Sequence, residues 1–318
     1  MTISLKRRTL LAAATLPLFS APSFANRSPA TFYSIEMNLG GRLGVAAIDT
    51  GTGEVDGHRP DDRFPFCSTF KTIVAAAVLA RSVTEPGFLG KRLRYTQADI
   101  KPHSPVSEKH VADGMTTAEL CAATIQYSDN AAANILMREL GGPAAITAYA
   151  RTLGDETFRL DRWETELNTA IPGDERDTTT PLAMARTLRK LLVDDGLPAA
   201  QRQQLKDWMV GNTTGDTRIR AGVPKGAVVA DKTGTAGSYG VANDIGVIWV
   251  AQRPPIVVVV FTHSSDKAAE PRSEIVAAAT RLALARPLYD DLKLPESSPA
   301  TGSPLLHPEY RAGRKTPS

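Results

Sequence analysis

The sequence has only two cysteines and five histidines among its 318 residues. The histidines show none of the close spacings that a zinc site needs, so we expect no metal and no other cofactor; they are His58, His103, His110, His263 and His307. Cys67 and Cys121 can pair in an oxidising compartment, but each also lies among apolar residues where a free buried cysteine packs well. The sequence does not fix their separation, so both states stay open.

An excess of charge of one sign is also missing. The formal net charge is +3, but Lys6, Arg7 and Arg8 lie in the first 25 residues, which carry no acid. The remaining chain is therefore close to neutral, which removes the electrostatic argument for a nucleic-acid partner.

After the N-terminal segment, no apolar run is long enough to span a membrane. The run Pro255 to Phe261 has only the length of a strand. Residues 1–25 combine the basic segment with an apolar run, Leu10 to Phe19, and small residues that end at Ala25. This pattern predicts a cleaved export signal and a periplasmic protein without a membrane anchor. Arg7 to Leu11 resembles a twin-arginine signal, ordinary Sec export fits as well, and an uncleaved anchor is the less favoured alternative.

Strand-like segments occur at both ends of the chain and helical periodicity lies between them. The predicted strands are Arg42 to Asp49, Glu54 to His58, Val228 to Thr235, Asn243 to Ala251 and Ile256 to Thr262. The helical middle runs from Ser68 to Gly211, and Ser273 to Leu284 is predicted as a closing helix. We expect one domain over residues 26–286, with an α/β part (26–66 and 212–286) and an all-α part (67–211). Residues 287–318 are rich in proline and predicted to be a poorly ordered tail.

Ser68 and Lys71 lie three residues apart where an apolar helix begins. At this spacing the two side chains share one face of a helix, and a serine hydroxyl needs a neighbouring base to become nucleophilic. The pattern alone is weak, because Ser264 and Lys267 repeat it.

Three further motifs follow in order: Ser128-Asp129-Asn130, Glu164-x-x-x-Asn168 and Lys232-Thr233-Gly234. Alone, they suit a helix N-cap, a charged surface loop and a strand end before a turn. Because these three motifs follow Ser-x-x-Lys in this order, the chain resembles a class A β-lactamase over essentially Ser28 to Arg286. The resemblance implies an antiparallel five-stranded sheet, flanked by helices from both chain ends and packed on an all-α domain, with the site between them.

The resemblance also implies a role for each motif residue. Ser68 would open the lactam to an acyl-enzyme, with Lys71 or Glu164 as the base, and Ser128 would pass a proton to the leaving nitrogen. Glu164 and Asn168 would hold the water that releases the product. Asn130, Lys232, Thr233, Gly234 and Thr235 would bind the substrate, and the amides of Ser68 and Thr235 would form an oxyanion hole. Arg162 and Asp177 would close the loop that carries Glu164.

Departures from the family pattern qualify this interpretation. The usual partner of Cys121 is replaced by Ala75, and Ala236 cannot bridge to Cys67 as in some carbapenem-hydrolysing members. Arg218 resembles the carboxylate-binding arginine of one branch, oriented by Glu274, whereas its alternative is a solvated loop arginine. His103 lies where relatives carry an aromatic gate, and the Thr235 hydroxyl resembles members that act on penicillins and cephalosporins.

Two rival classes share part of the pattern. A penicillin-binding peptidase and a β-lactam sensor both have the serine–lysine pair, but Glu164 with Asn168 argues for a hydrolase. We expect a monomer that binds small β-lactams as substrates. Their hydrolysis would confer β-lactam resistance.

Overall fold

Apolar runs near the two chain ends form one antiparallel sheet in the computed structural model, which describes residues 31–289. The predicted export signal, and the predicted tail beyond residue 289, lie outside these described residues. The strands are β1 (Arg42–Asp49), β2 (Val55–His58), β3 (Phe64–Pro65), β4 (Arg92–Leu93), β5 (Met115–Thr116), β6 (Thr178–Thr179), β7 (Val228–Thr235), β8 (Ala242–Trp249) and β9 (Ile256–His263). Five of them form the main sheet in the order β2-β1-β9-β8-β7, and β3 pairs with β6 and β4 with β5.

The helices cover both faces of this sheet. They are α1 (Phe32–Leu39), α2 (Lys71–Thr84), α3 (Thr117–Gln126), α4 (Asn130–Leu140), α5 (Pro143–Thr152), α6 (Pro181–Leu192), α7 (Ala199–Val210), α8 (Ile219–Gly222) and α9 (Ser273–Tyr289). α1 and α9 pack on one face, while α6 packs on β1, β8 and β9 from the other. None of the helices within residues 31–289 is long and apolar enough to cross a membrane.

Alternation along β1 shows how the sheet separates two hydrophobic clusters. Val45 and Ala47 belong to the cluster beneath α1 and α9, whereas Ala46 and Ile48 belong to the larger cluster shared with the helical layer. Successive side chains of a strand point to opposite faces, so each face receives every second residue. β9 is buried at all eight positions, as expected for the central strand of a sheet covered on both faces.

The architecture confirms the predicted fold: a five-stranded antiparallel sheet with helices from both ends, packed on a helical layer. α9 continues to Tyr289, beyond the predicted domain end at residue 286, and Leu288 packs against the cluster beneath it. Cys67 and Cys121 are both free and buried, in agreement with the packing explanation.

Candidate active site

Ser68 lies in a turn of 3₁₀ helix, Cys67–Phe70, that leads directly into α2. The Lys71 Nζ lies 3.0 Å from the Ser68 Oγ, and the Lys71 side chain has no exposed surface. Cys67, just before the serine, has a φ of 48°, a conformation that is uncommon outside glycine. The beginning of a buried helix thus presents the serine to the cavity and the lysine beneath it.

Several oxygens surround the Lys71 amine. It contacts the Ser128 carbonyl at 2.8 Å, the Asn130 Oδ1 at 2.5 Å and the Glu164 Oε1 at 3.0 Å. Burial lowers the pKa of Lys71, and the charge of Glu164 acts in the opposite direction. The Ser68 hydroxyl donates to the same Glu164 oxygen over 3.3 Å and accepts from the Lys71 amine, so both the carboxylate and the amine contact the nucleophile.

The three residues of the Ser-Asp-Asn motif have separate environments. Ser128 has a φ of 57° and places its hydroxyl 3.0 Å from the Lys232 Nζ. Asp129 is the N-cap of α4 and also accepts hydrogen bonds from the Val106 and Ser107 amides. The N-cap interpretation is therefore correct for Asp129, whereas its two neighbours face the site.

Glu164 is fully buried and held at both oxygens. Its Oε2 accepts a 2.5 Å hydrogen bond from the Asn168 Nδ2, while Oε1 faces Lys71. The Asn134 side chain bonds to the Glu164 backbone at both its N–H and its carbonyl. Asn134 was missed by the sequence reasoning, although it follows Asn130 by one helical turn and so shares its face.

Arg162 and Asp177 form an ion pair of 2.5 Å across the two ends of the loop that carries Glu164. Asp177 is fully buried and also accepts the backbone N–H groups of Asp161 and Arg162. The carboxylate therefore joins both chain segments where the loop leaves and re-enters the body of the protein.

β7 forms the opposite wall of the cavity. Lys232 is fully buried and donates to the Ser128 Oγ and the Thr233 carbonyl. Burial, followed by the positive charge of Lys71, holds the pKa of Lys232 well below its usual range. A bound carboxylate would offset this cost of burial. A β-carbon at Gly234 would lie 2.5 Å from the Phe66 carbonyl oxygen and 3.2 Å from the Ser68 nitrogen, so only glycine lets β7 approach the nucleophile turn this closely.

Arg218 is 8% exposed, so its interpretation as a solvated loop arginine is wrong. Its guanidinium donates to the Gly234 carbonyl at 2.9 Å and to the Thr235 hydroxyl at 2.7 Å. Burial lowers the pKa of Arg218, yet an arginine stays charged in a protein.

The predicted contact between Arg218 and Glu274 is also wrong. Ser273 accepts from the Arg218 Nε at 3.2 Å, whereas Glu274 pairs with Arg272 at the surface. Adjacent residues of a helix point about 100° apart, so at the start of α9 Ser273 faces the sheet and Glu274 faces away.

A cavity of about 310 Å³ brings most of these side chains together. Its lining consists of Ser68, His103, Ser128, Asn130, Asn168, Thr214, Arg218, Thr233 and Thr235. His103 is exposed at the rim, where its Nε2 lies 3.0 Å from the Tyr127 carbonyl. Thr214 was not found from the sequence, because no motif marks its loop. The second serine–lysine pair is elsewhere: Ser264 directly follows the last residue of β9, and Lys267 is exposed in the loop beyond it.

A buried serine hydroxyl beside a lysine amine and a carboxylate is the arrangement expected of a serine hydrolase. The profile described as Beta-lactamase enzyme family matches residues 31–291. The carbapenem-hydrolyzing beta-lactamase KPC of Klebsiella oxytoca is 52% identical over 88% of this chain and 96% of its own. Beta-lactamase Toho-1 of Escherichia coli is 50% identical over 89% of this chain and 98% of its own.

A solved structure gives the same result. The beta-lactamase from Desulfarculus baarsii superimposes with a TM-score of 0.79 at 51% identity, covering 81% of this chain and 95% of its own. The chain belongs to the beta-lactamase enzyme family, as a class A serine β-lactamase. It therefore hydrolyses β-lactams, an activity that gives antibiotic resistance.

Proposed function

We propose that this enzyme hydrolyses penicillins and cephalosporins through an acyl-enzyme on Ser68, with water activated by Glu164. The observation that carries the proposal is the position of Glu164, whose Oε1 faces Ser68 and Lys71 while its Oε2 is fixed by Asn168. A carboxylate in this place can take a proton from a water that attacks the ester.

In the acylation step, the Ser68 Oγ bonds to the lactam carbonyl carbon and its proton passes to Lys71 or Glu164. The carbon–nitrogen bond then breaks, and the Ser128 hydroxyl delivers a proton to the departing nitrogen. The contact of Ser128 with both lysines supports this role, because either amine can replace the proton that the hydroxyl gives up. The backbone N–H groups of Ser68 and Thr235 would stabilise the oxyanion, an effect worth about 3 kcal/mol of barrier per donor.

In the deacylation step, Glu164 takes a proton from water, and the hydroxide adds to the ester carbonyl. The ester carbon–oxygen bond then breaks, and Glu164 returns its proton to the departing Ser68 oxygen. Asn168 shares the water, and the Arg162–Asp177 pair keeps the Glu164 loop in register.

Substrate recognition follows from the charge of the cavity wall. Lys232 and Arg218 supply positive charge, and the hydroxyls of Thr233 and Thr235 supply hydrogen bonds for the carboxylate that penicillins and cephalosporins share. Asn130 would bind the amide side chain of the substrate, and His103 would border it at the rim. The proposal includes export to the periplasm and action as a monomer without a cofactor.

Carbapenems lie outside the proposal. Cys67 shares a small buried cluster with Ala236, which offers it no sulfur to pair with. One relative at 52% identity is named for carbapenem hydrolysis, so a carbapenem belongs in the substrate panel as a direct check.

The test compares wild type with Glu164→Ala on a chromogenic cephalosporin, using turnover and intact mass. We expect rapid turnover by wild type and a lasting adduct on Ser68 in the variant. Glu166→Ala is the matched control, because this exposed glutamate two residues away belongs to the same loop. A wild type that acylates once and then stalls would overturn the proposal in favour of a peptidase or a sensor.

A further inference from the structure

A chain of hydrogen bonds leads from the cavity wall into the protein behind β7. The Thr233 Oγ1 lies 2.5 Å from the Thr214 Oγ1, and both threonines line the cavity. The Thr214 hydroxyl also lies 2.8 Å from the Asn212 Oδ1, and the Asn212 Nδ2 lies 2.6 Å from the Asp231 Oδ2. Asn212 and Asp231 are buried, so these bonds do not compete with bulk water.

Two contacts fix which end of the Asn212 amide faces Thr214. The backbone N–H of Thr214 can only donate, and it points at the Asn212 oxygen over 3.1 Å. At the other end, Asp231 forms an ion pair of 2.7 Å with Arg220, so its carboxylate accepts and the amide nitrogen must face it. The oxygen of Asn212 therefore faces Thr214.

The direction of the remaining bonds follows from counting protons. An amide oxygen cannot donate, so Thr214 gives its single hydroxyl proton to Asn212. Thr233 must then be the donor in the short contact with Thr214. In the free enzyme, the only hydroxyl proton of Thr233 is thus directed away from the cavity.

The loop that carries Thr214 is held against β7 by close packing. A β-carbon at Gly215 would lie 1.8 Å from the Asp231 Oδ2, so the backbone passes directly over this carboxylate. Thr214 consequently cannot withdraw from Thr233 without disrupting the buried Asp231 group.

A substrate carboxylate at Thr233 needs the Thr233 proton, which in the free enzyme is donated to Thr214. If Thr233 turned its proton to the substrate, two hydroxyl oxygens would face each other at 2.5 Å unless Thr214 turned as well. Thr214 can turn its hydroxyl away from Asn212, because the Asn212 oxygen still accepts a hydrogen bond from the backbone N–H of Thr214. In the complex, Thr214 would donate to the Thr233 oxygen, and Thr233 would donate to the substrate carboxylate.

We propose that Thr214 is a positioning residue for substrate carboxylates, which acts by turning its hydroxyl from Asn212 to donate a hydrogen bond to the Thr233 oxygen when the substrate binds. The inference rests on the proposed function, since it concerns the same cavity. It assigns Thr214 a role in substrate affinity and none in bond breaking.

The test is steady-state kinetics of Thr214→Val, which keeps the shape of the side chain and removes the hydroxyl. With benzylpenicillin we expect KM to rise about five- to tenfold, with kcat about unchanged, because the complex loses the hydrogen bond from Thr214 that holds the Thr233 hydroxyl toward the carboxylate. Thr214→Ser restores the hydroxyl and should restore KM. Thr217→Val, in the same loop but exposed, is the matched control and should match wild type.

Two further measurements separate this role from a structural one. The methyl ester of benzylpenicillin lacks the carboxylate charge, so Thr214→Val should leave its kcat/KM unchanged. Thr214→Val should also have no additional effect on KM when combined with Thr233→Val. A wild-type KM in Thr214→Val, an equal loss on the ester, or an added loss in the double variant would each overturn the proposal. Failure of the proposed function would instead appear as absent turnover in wild type.

Discussion

Asn134 and Glu164 are joined by two hydrogen bonds that use both ends of one side-chain amide. The Asn134 Oδ1 accepts the Glu164 N–H at 2.9 Å, and its Nδ2 donates to the Glu164 carbonyl at 2.7 Å. α4 thus provides Asn130 as a contact of Lys71 and, one turn later, the residue that fixes the backbone of Glu164. The lysine and the carboxylate are held by the same rigid helix.

Asn134→Leu should slow deacylation more than acylation. The variant keeps the approximate volume but removes both bonds, so the Glu164 carboxylate loses its register with Ser68. A displacement of about 1 Å at a reacting group can cost about 100-fold in rate, and we expect a loss of this order in deacylation. Stopped-flow acylation together with steady-state kcat separates the two steps.

The control for this prediction is Gln203→Leu, which removes an exposed amide on α7, away from the active-site cavity. It should leave both rates unchanged. Equal losses in acylation and deacylation in Asn134→Leu would show that Asn134 supports the whole site and has no specific relation to Glu164.

Gly234→Ala should impair catalysis by pushing β7 away from the nucleophile turn. The added methyl group would meet the Phe66 carbonyl at 2.5 Å, which is shorter than any real contact of a β-carbon. We expect kcat/KM to fall by about 100-fold or more, because the cavity wall and Ser68 lose their mutual position.

Gly237→Ala provides the matched comparison, since a β-carbon there meets nothing within 4 Å and the φ is not positive. Its kcat/KM should equal that of wild type. Circular dichroism of Gly234→Ala establishes whether the fold is intact, and a folded variant with full activity would refute the steric argument.

The sequence predicted the parts of the site that depend on short spacings. Ser68 and Lys71 are three residues apart on one helical turn, which brings their side chains to one face. Ser128 and Asn130 lie on either side of the Asp129 N-cap of α4, so this short segment carries two groups that face the site. β7 to β9 were predicted within one or two residues, because their apolar runs are strand-length and bounded by turn residues.

The contacts that sequence reasoning missed are those between distant segments. Asn134 meets Glu164 across 30 residues, and the Arg218 guanidinium meets Ser273 across 55. Whether Ser273 or Glu274 contacts Arg218 depends on the rotation of α9 against the sheet. The local sequence does not determine this rotation. Thr214 likewise gains its role only because Gly215 lets the loop lie against Asp231.

Glu36→Gln should lower stability at neutral pH and progressively less in acid. The buried Glu36 carboxylate accepts two hydrogen bonds from Arg59, and it also contacts the Leu43 amide and the His58 ring. The bonds from Arg59 are the main reason why the pKa of Glu36 is lowered from 4.5 to about 2. Because the folded state favours the charged form, its stabilisation is complete above pH 4.5 and is lost as the pH falls toward 2. Urea unfolding should give a deficit of about 3 kcal/mol for Glu36→Gln at pH 7 that shrinks to roughly half by pH 3. Glu108→Gln, an exposed control, should show no such pH-dependent difference from wild type, and a deficit for Glu36→Gln that is equal at pH 7 and pH 3 would contradict the assignment.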